Sequence, residues 1–203
     1  MYMIKSLCAL ARKPGTTRGQ FQSYYEEKHA PLAAGLFPFS GYVRNHLIDA
    51  PDFGWDTISE FWNDDMAGTA ALLAGTVGET MRADEEQFMD RTKVVPARVE
   101  EIVLSPGARA DALGLRSALL VTGTRASADI HAQVIEQVRE LAEHSEGVSV
   151  DLVDTGTQFP ASAVIWLPGE PSALPDLSGL AVTALLVRRC GTAVTELLGT
   201  RRS

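Results

Sequence analysis

The sequence predicts an α+β fold, on three observations. Strand-like alternation and helix-like periodicity follow one another in the order strand, helix, strand, strand, helix, strand over about the first hundred residues. A loop-like stretch, Ser105-Pro-Gly-Ala-Arg-Ala-Asp111, then interrupts the pattern, and most of the same order begins again. With 45% hydrophobic residues in 203, the chain has material for one large core or two small ones. Together these predict tandem units of the split βαβ, ferredoxin-like kind with antiparallel sheets, at 1–107 and 108–203.

Met3 to Arg12 alternates over a strand's length and stops at the turn Lys13-Pro14-Gly15. Thr17 and Gln20 have the spacing of a capping box, in which each side chain satisfies the other's orphan backbone N–H. Phe21, Tyr24, Tyr25, Lys28 and Leu32 then share one helical face, and Pro31 is expected to close the helix. A second strand, Gly41 to Ile48, puts Tyr42, Arg44 and His46 on one face and Val43, Asn45 and Leu47 on the other. The third, Asp56 to Trp62, sets Asp56, Ile58, Glu60 and Trp62 against Thr57, Ser59 and Phe61. Asp64-Asp65 should cap a helix over Met66 to Thr80, weakened by Gly68, Gly75 and Gly78. A short helix at Asp84 to Asp90 and a strand at Val94 to Leu104 complete the first unit.

In the second unit, Leu115 to Arg125 reads as a strand and Asp129 to His144 as a helix, with Ile130, Val134, Val138, Leu141 and Ala142 on one face. Strands follow at Val148 to Asp154 and Ala161 to Leu167. Where a second helix should come there is only the Pro-rich Pro168-Gly-Glu-Pro-Ser-Ala-Leu-Pro175, before a closing strand at Ala181 to Arg189.

Composition excludes several functions. A formal charge of −8 leaves no basic surface for nucleic acid or anionic lipid, and the pairs Arg188-Arg189 and Arg201-Arg202 are isolated. No apolar run approaches the roughly 18 residues of a membrane span, and Met1 to Arg12 lacks the pattern of a secretory leader, so a cytoplasmic location is expected. Cys8 and Cys190 sit in apolar runs with no CxxC pair and no neighbouring His at metal-ligand spacing, which reads as buried thiols rather than a disulfide or zinc site. No nucleotide-binding, serine-elbow or zincin motif occurs, and neither a metal nor another cofactor is expected. Twelve of the fourteen aromatic residues precede Gly107. Such crowding fits either a lined apolar pocket or a larger core, and a ligand site is expected in the first half in both cases.

His29 shares the edge of the apolar face of its helix with Tyr25 and Phe21. At a helix C-terminus an imidazolium is favoured, so His29 could donate a proton; the plainer alternative is a capping residue. If the face of Asp56 and Glu60 is inward, at least one carboxylate must be paired, most naturally with His29 or Arg44, or carry a raised pKa; the plainer alternative is carboxylates at strand ends exposed to water.

The run Lys13-Pro14-Gly15, Phe21, Tyr24-Tyr25 and His29-Ala30-Pro31-Leu32, followed by Gly41-Tyr42-Val43-Arg44-Asn45, Trp55-Asp56-Thr57-Ile58-Ser59-Glu60-Phe61-Trp62 and Ala83 to Asp90, resembles the EthD family in content and order. That resemblance implies a dimeric α/β barrel, in which two ferredoxin-like units pack sheet against sheet. The second half would be a degenerate partner in the same chain, giving a pseudo-dimeric barrel, although a homodimer between chains fits too. It further implies cofactor-free acid/base chemistry on a small aromatic, hydrophobic or polyketide-like metabolite: a cyclisation, dehydration or oxygenation. His29 would be the acid/base, with Tyr24 or Tyr25 orienting a substrate oxygen. Asp56 or Glu60 would hold the imidazole, and Phe21, Tyr42 and Trp62 would supply a stacking surface beside Arg44 and His46. The rival expectations are a non-catalytic binding or accessory module, and haem binding through His29 or His46.

Overall fold

The computed structural model describes residues 4–48, 50–171 and 174–198; the Arg201-Arg202 pair and part of the Pro-rich segment lie outside them. Its strand order, β1-β3-β2-β8-β5-β7-β6-β4, is that of a closed antiparallel barrel made from two ferredoxin-like halves, with β1 Ile4–Leu10, β2 Phe39–Leu47, β3 Thr57–Asn63, β4 Val95–Val103, β5 Leu115–Thr122, β6 Ser149–Val153, β7 Ala163–Pro168 and β8 Ala181–Gly191. The chain divides into two compact units: one takes the residues up to His46, Asp52–Pro96 and those from Cys190 on, and the other takes Leu47–Pro51 and Ala97–Arg189. Among the described residues no helix is long and apolar enough to cross a membrane.

In the first unit β3 lies between β1 and β2, with Leu10 opposite Thr57 on one side and Tyr42 opposite Phe61 on the other. Helix α1, Arg18–Tyr24, starts on the expected capping box: Gln20 N–H donates to Thr17 Oγ1 at 3.1 Å, and Thr17 N–H to Gln20 Oε1 at 2.9 Å. Such a cap stabilises the helix by about 1 kcal/mol.

Pro31 does not end this helix. The next five residues, Tyr25–His29, form a π-turn, and α2, Ala30–Leu36, continues with Pro31 in its first turn. Proline has no N–H to give and, in an unbroken α-helix, clashes with the carbonyl four residues back. Widening the turn, so that Ala30 N–H donates to Tyr25 O, admits the ring without ending the helix. His29 is therefore inside a helix and not at its C-terminus, which removes the terminal-dipole argument for its charge.

The helix predicted over Met66 to Thr80 is two helices. Asp65 caps α3, Met66–Ala74, through Gly68 N–H at 2.7 Å. Extended backbone at Gly75 then starts α4, Thr76–Phe88, which absorbs the short helix expected near Asp84. Gly78 permits the corner, because a Cβ there would lie 1.9 Å from Leu73 O. Leu10, Phe21, Tyr25, Tyr42, Met81 and Phe88 meet in one buried cluster between sheet and helices. Burying Phe21 and Phe88 contributes roughly 2–3 kcal/mol each.

In the second unit β5 is paired by β7 and β8, and β6 by β7 and β4. Helix α5, Ser127–Ala142, buries Ile130, Val134 and Val138 against Leu119, Val121 and Ile165. No second helix occurs among its described residues. A cavity of about 650 Å³ opens there instead, lined by Ser117, Leu119, Glu170, Leu174 and Leu185 among others.

Candidate functional site

The sheet face under the helices of the first unit carries Tyr42, Arg44 and His46 from β2 and Thr57, Ser59 and Phe61 from β3, paired across the strands. That alternation follows the sequence expectation, and three polar groupings lie on this face or among the helices that cover it.

The first is centred on His29. Its Nδ1 lies 2.6 Å from Asp84 Oδ2, and Tyr24 Oη donates to Asp84 Oδ1 at 3.0 Å. His29 is 6% exposed, its ring edge-on to Tyr25 at 4.8 Å and against Phe88 at 5.0 Å. Its Nε2 makes no hydrogen bond among the described residues. Burial raises the Asp84 carboxyl, but the hydrogen bond and charge of His29 outweigh it and hold the group below the ordinary aspartate value. The carboxylate that contacts the His29 ring is thus Asp84, which corrects the expectation of Asp56 or Glu60 in that place. Asp56 is taken by Arg12 Nη1 at 2.5 Å and Arg18 Nε at 2.9 Å. Glu60 points from the opposite sheet face, where Lys5 Nζ lies 2.8 Å from it and Asn45 Nδ2 donates to it at 3.0 Å. Strand alternation explains the outcome: Glu60 and its neighbour Ser59 face opposite ways, and Ser59 faces the helices.

Tyr25 is fully buried, and its Oη lies 2.8 Å from Ser59 Oγ and accepts from Tyr42 Oη at 3.1 Å. Burial pushes its phenol far up, so it stays protonated. Phe21 packs on Tyr25 and Phe88, whereas Tyr42 stacks on Phe61 at 5.0 Å. Trp62 does not join them. It lies on the other sheet face under Lys5, 4.7 Å from the ring, and beside Gly41, where a Cβ would come within 2.7 Å of the indole. Phe61, rather than Trp62, is the ring that packs on Tyr42 and Phe39.

The third grouping surrounds Glu26, which sequence reasoning missed. Arg44 donates to both of its oxygens, from Nε at 2.9 Å and Nη2 at 2.5 Å, and His46 Nε2 lies 2.7 Å from Oε1. Thr57 Oγ1 sits 2.6 Å from His46 Nδ1, so both ring nitrogens of His46 are engaged. Arg44 Nη1 also donates to Thr192 Oγ1 at 2.5 Å. Burial raises the Glu26 carboxyl, yet the hydrogen bonds from Arg44 and His46 prevail and bring it down to about 2. Glu26 and Arg44 line a cavity of about 350 Å³ with Ala30, Pro31, Ala34, Gly35, Gly191, Thr192 and Glu196. The arrangement can hold a small polar group against an apolar wall. A carboxylate so firmly ionised is a poor general base at neutral pH.

Asp84 carried one available signal, its place in the Ala83 to Asp90 block. Glu26 and Thr192 carried none, because the contacts of Arg44 span 18 and 148 residues respectively.

No curated protein matches the sequence. Among solved structures, a protein from Lactobacillus acidophilus NCFM provisionally described as a monooxygenase is similar over 96% of this chain and 97% of its own, at 8% identity and a TM-score of 0.56. A protein provisionally described as a chlorite dismutase is similar over 96% of each chain, at 12% identity and a TM-score of 0.54. At those identities the likeness is one of fold. An ethyl tert-butyl ether D (EthD) family protein from Bacillus halodurans C-125 is 20% identical over 49% of this chain and 100% of its own, with a TM-score of 0.40. The family model settles the assignment for the segment that carries the His29 and Glu26 groupings: residues 13–92 are an EthD domain.

Proposed function

We propose that the chain is an acid/base enzyme acting on a small aromatic or polyketide-like compound, with His29 as the proton carrier and Asp84 as its orienting carboxylate. The observation that carries this reading is the 2.6 Å contact from His29 Nδ1 to Asp84 Oδ2, with Nε2 left without a hydrogen bond among the described residues. When Nδ1–H donates to the carboxylate, Nε2 presents its lone pair, and the imidazolium formed on proton uptake is stabilised by the charge beside it. Tyr24 fixes the second carboxylate oxygen. Phenols and β-keto compounds suit such a base because the anion produced is delocalised. The proton on Nε2 can then return to another carbon or to a departing hydroxyl, which completes an isomerisation or dehydration. His46 is the weaker choice for this role, since both of its nitrogens are already engaged.

The test is turnover of a panel of phenolic and β-keto compounds, anthrone first, by wild type, His29→Ala and Asp84→Asn. On a compound that wild type converts, loss of a general base should slow His29→Ala by about 100-fold or more. Equal rates would overturn the reading.

A second reading, a non-catalytic binding module, is favoured by one observation. The space between sheet and helices in the first half, where a ligand site is expected, holds Phe21, Tyr25, Met81 and Phe88, all buried, while a cavity lies beside Glu26 and Arg44. In that case compounds would bind without conversion, Arg44→Met would weaken binding, and His29→Ala would not.

A further inference from the structure

The π-turn, the end of β2 and the end of β8 bring together side chains that sequence spacing keeps apart. Glu26, His46 and Cys190 each offer one ligand atom, and these atoms all lie within 4.8 Å of one another. We propose that Glu26, His46 and Cys190 form a binding site for a divalent transition-metal ion, zinc in preference, with an open coordination position toward the cavity beside Glu26, Gly191 and Thr192.

The donor set selects the metal. A thiolate, an imidazole and a carboxylate suit a borderline-soft ion and exclude magnesium and calcium, which take oxygen ligands. Zinc binds sulfur at about 2.3 Å and nitrogen or oxygen at about 2.0–2.2 Å, so its tetrahedral ligands stand roughly 3.3–3.7 Å apart. The observed spacing is therefore within a small side-chain adjustment of coordination. Neither cysteine of this chain is in a disulfide. They also differ: burial pushes the Cys8 thiol up to about 12, and Cys8 is not among the three grouped residues.

Supporting contacts are in place. Thr57 Oγ1 at 2.6 Å from His46 Nδ1 sets the ring so that Nε2 points at Glu26, the arrangement by which a second contact orients a metal-bound histidine. Arg44 holds both carboxylate oxygens, Oε2 through Nη2 at 2.5 Å and Oε1 through Nε at 2.9 Å, so the ion would take the place of the proton between Oε1 and His46 Nε2. The positive charge of Arg44 opposes a cation, and the two anionic ligands, Glu26 carboxylate and Cys190 thiolate, offset the charge of the metal. Binding displaces the thiol proton and any proton on His46 Nε2, so affinity should climb as pH rises. Of the three ligands Glu26 lines the cavity of about 350 Å³, so a fourth ligand on that side would be water or a small molecule, the pattern of zinc that acts on a bound molecule rather than zinc that only stabilises a fold. The three side chains are separate from His29 and Asp84, so this proposal and the proton-transfer reading stand or fall independently.

The experiment uses the full chain without an affinity tag, titrated with Zn²⁺ against a chromophoric chelator and with Co²⁺ in the near-ultraviolet. One ion per chain and a thiolate-to-cobalt band are expected. His46→Gln and Cys190→Ser should each weaken zinc binding by at least about 100-fold, and Thr57→Val by about 10-fold. Cys190 is only half-buried, so Cys190→Ser should keep the fold, as circular dichroism would confirm. Zinc should raise the melting temperature of wild type and leave that of Cys190→Ser unchanged. Absence of the cobalt band, or zinc binding by Cys190→Ser equal to wild type, would overturn the proposal.

Discussion

Asp84 Oδ2 and His29 Nδ1 meet at 2.6 Å across 55 positions of sequence, joining α4 to the π-turn of the first helix. The contact determines which imidazole nitrogen is left over for chemistry, and an amide in place of the carboxylate would blur that choice.

Asp84→Asn should lower stability by roughly 1–3 kcal/mol, the cost of replacing a charge-assisted, mostly buried hydrogen bond. Urea denaturation measures the loss. Nitrogen-15 chemical shifts of the His29 ring should move from a single tautomer to a mixture. An unchanged tautomer would show that Phe88 and Tyr25 alone hold the ring.

Removing either member of the Glu26–Arg44 pair should be destabilising, and unequally so. The Arg44 side chain is 5% exposed and that of Glu26 30%. Glu26→Gln strands a buried cation, whereas Arg44→Met leaves a carboxylate that water can reach. We expect losses of roughly 3–5 kcal/mol for Glu26→Gln and about half that for Arg44→Met, with the double variant better than the sum. Denaturant midpoints of the four proteins decide it.

Acid should weaken the fold in a particular window. The Glu26 carboxyl titrates at about 2 in the native state against 4.5 ordinarily, so its contribution is complete above 4.5 and disappears as pH falls toward 2. Asp84, also lowered, adds in the same direction. A plot of unfolding free energy against pH should fall steeply in that range for wild type and more gently for Glu26→Gln.

Two helical glycines should respond oppositely to alanine. At Gly78 a Cβ would meet Leu73 O at 1.9 Å, so Gly78→Ala must push α3 and α4 apart and cost more than about 2 kcal/mol. At Gly19 nothing lies within 4 Å, and Gly19→Ala should stabilise by about 0.5–1 kcal/mol. Thermal melts distinguish the two.

Local signals explain what the sequence made legible. The Thr17–Gln20 box, the Asp65 cap and the alternation in β2 and β3 are short-range patterns, and each recurs in the structure. The π-turn was hidden because it adds a residue to one turn of helix. Leu32 then packs only half-buried at the margin of the cluster that Phe21 belongs to, and Ala30, Ala33 and Ala34 are the residues of that segment buried within it. Site partnerships were the least legible part. His29, Tyr25 and Arg44 could be singled out by residue type, but Asp84, Glu26 and Thr192 come from other elements, and a single sequence does not encode which acid reaches which base.

The make-up of the second unit constrains how this chain could be cut. Residues 97–107 precede the point where the strand–helix pattern restarts, yet β4 from Ala97 onward supplies the partner of β6, from Val99 opposite Val153 to Val103 opposite Ser149. A fragment beginning at residue 108 would carry β6 with a row of unsatisfied amides and carbonyls along one side, a template for self-association. Recombinant halves divided at that apparent repeat junction should therefore precipitate or scramble, although each contains nearly a whole motif.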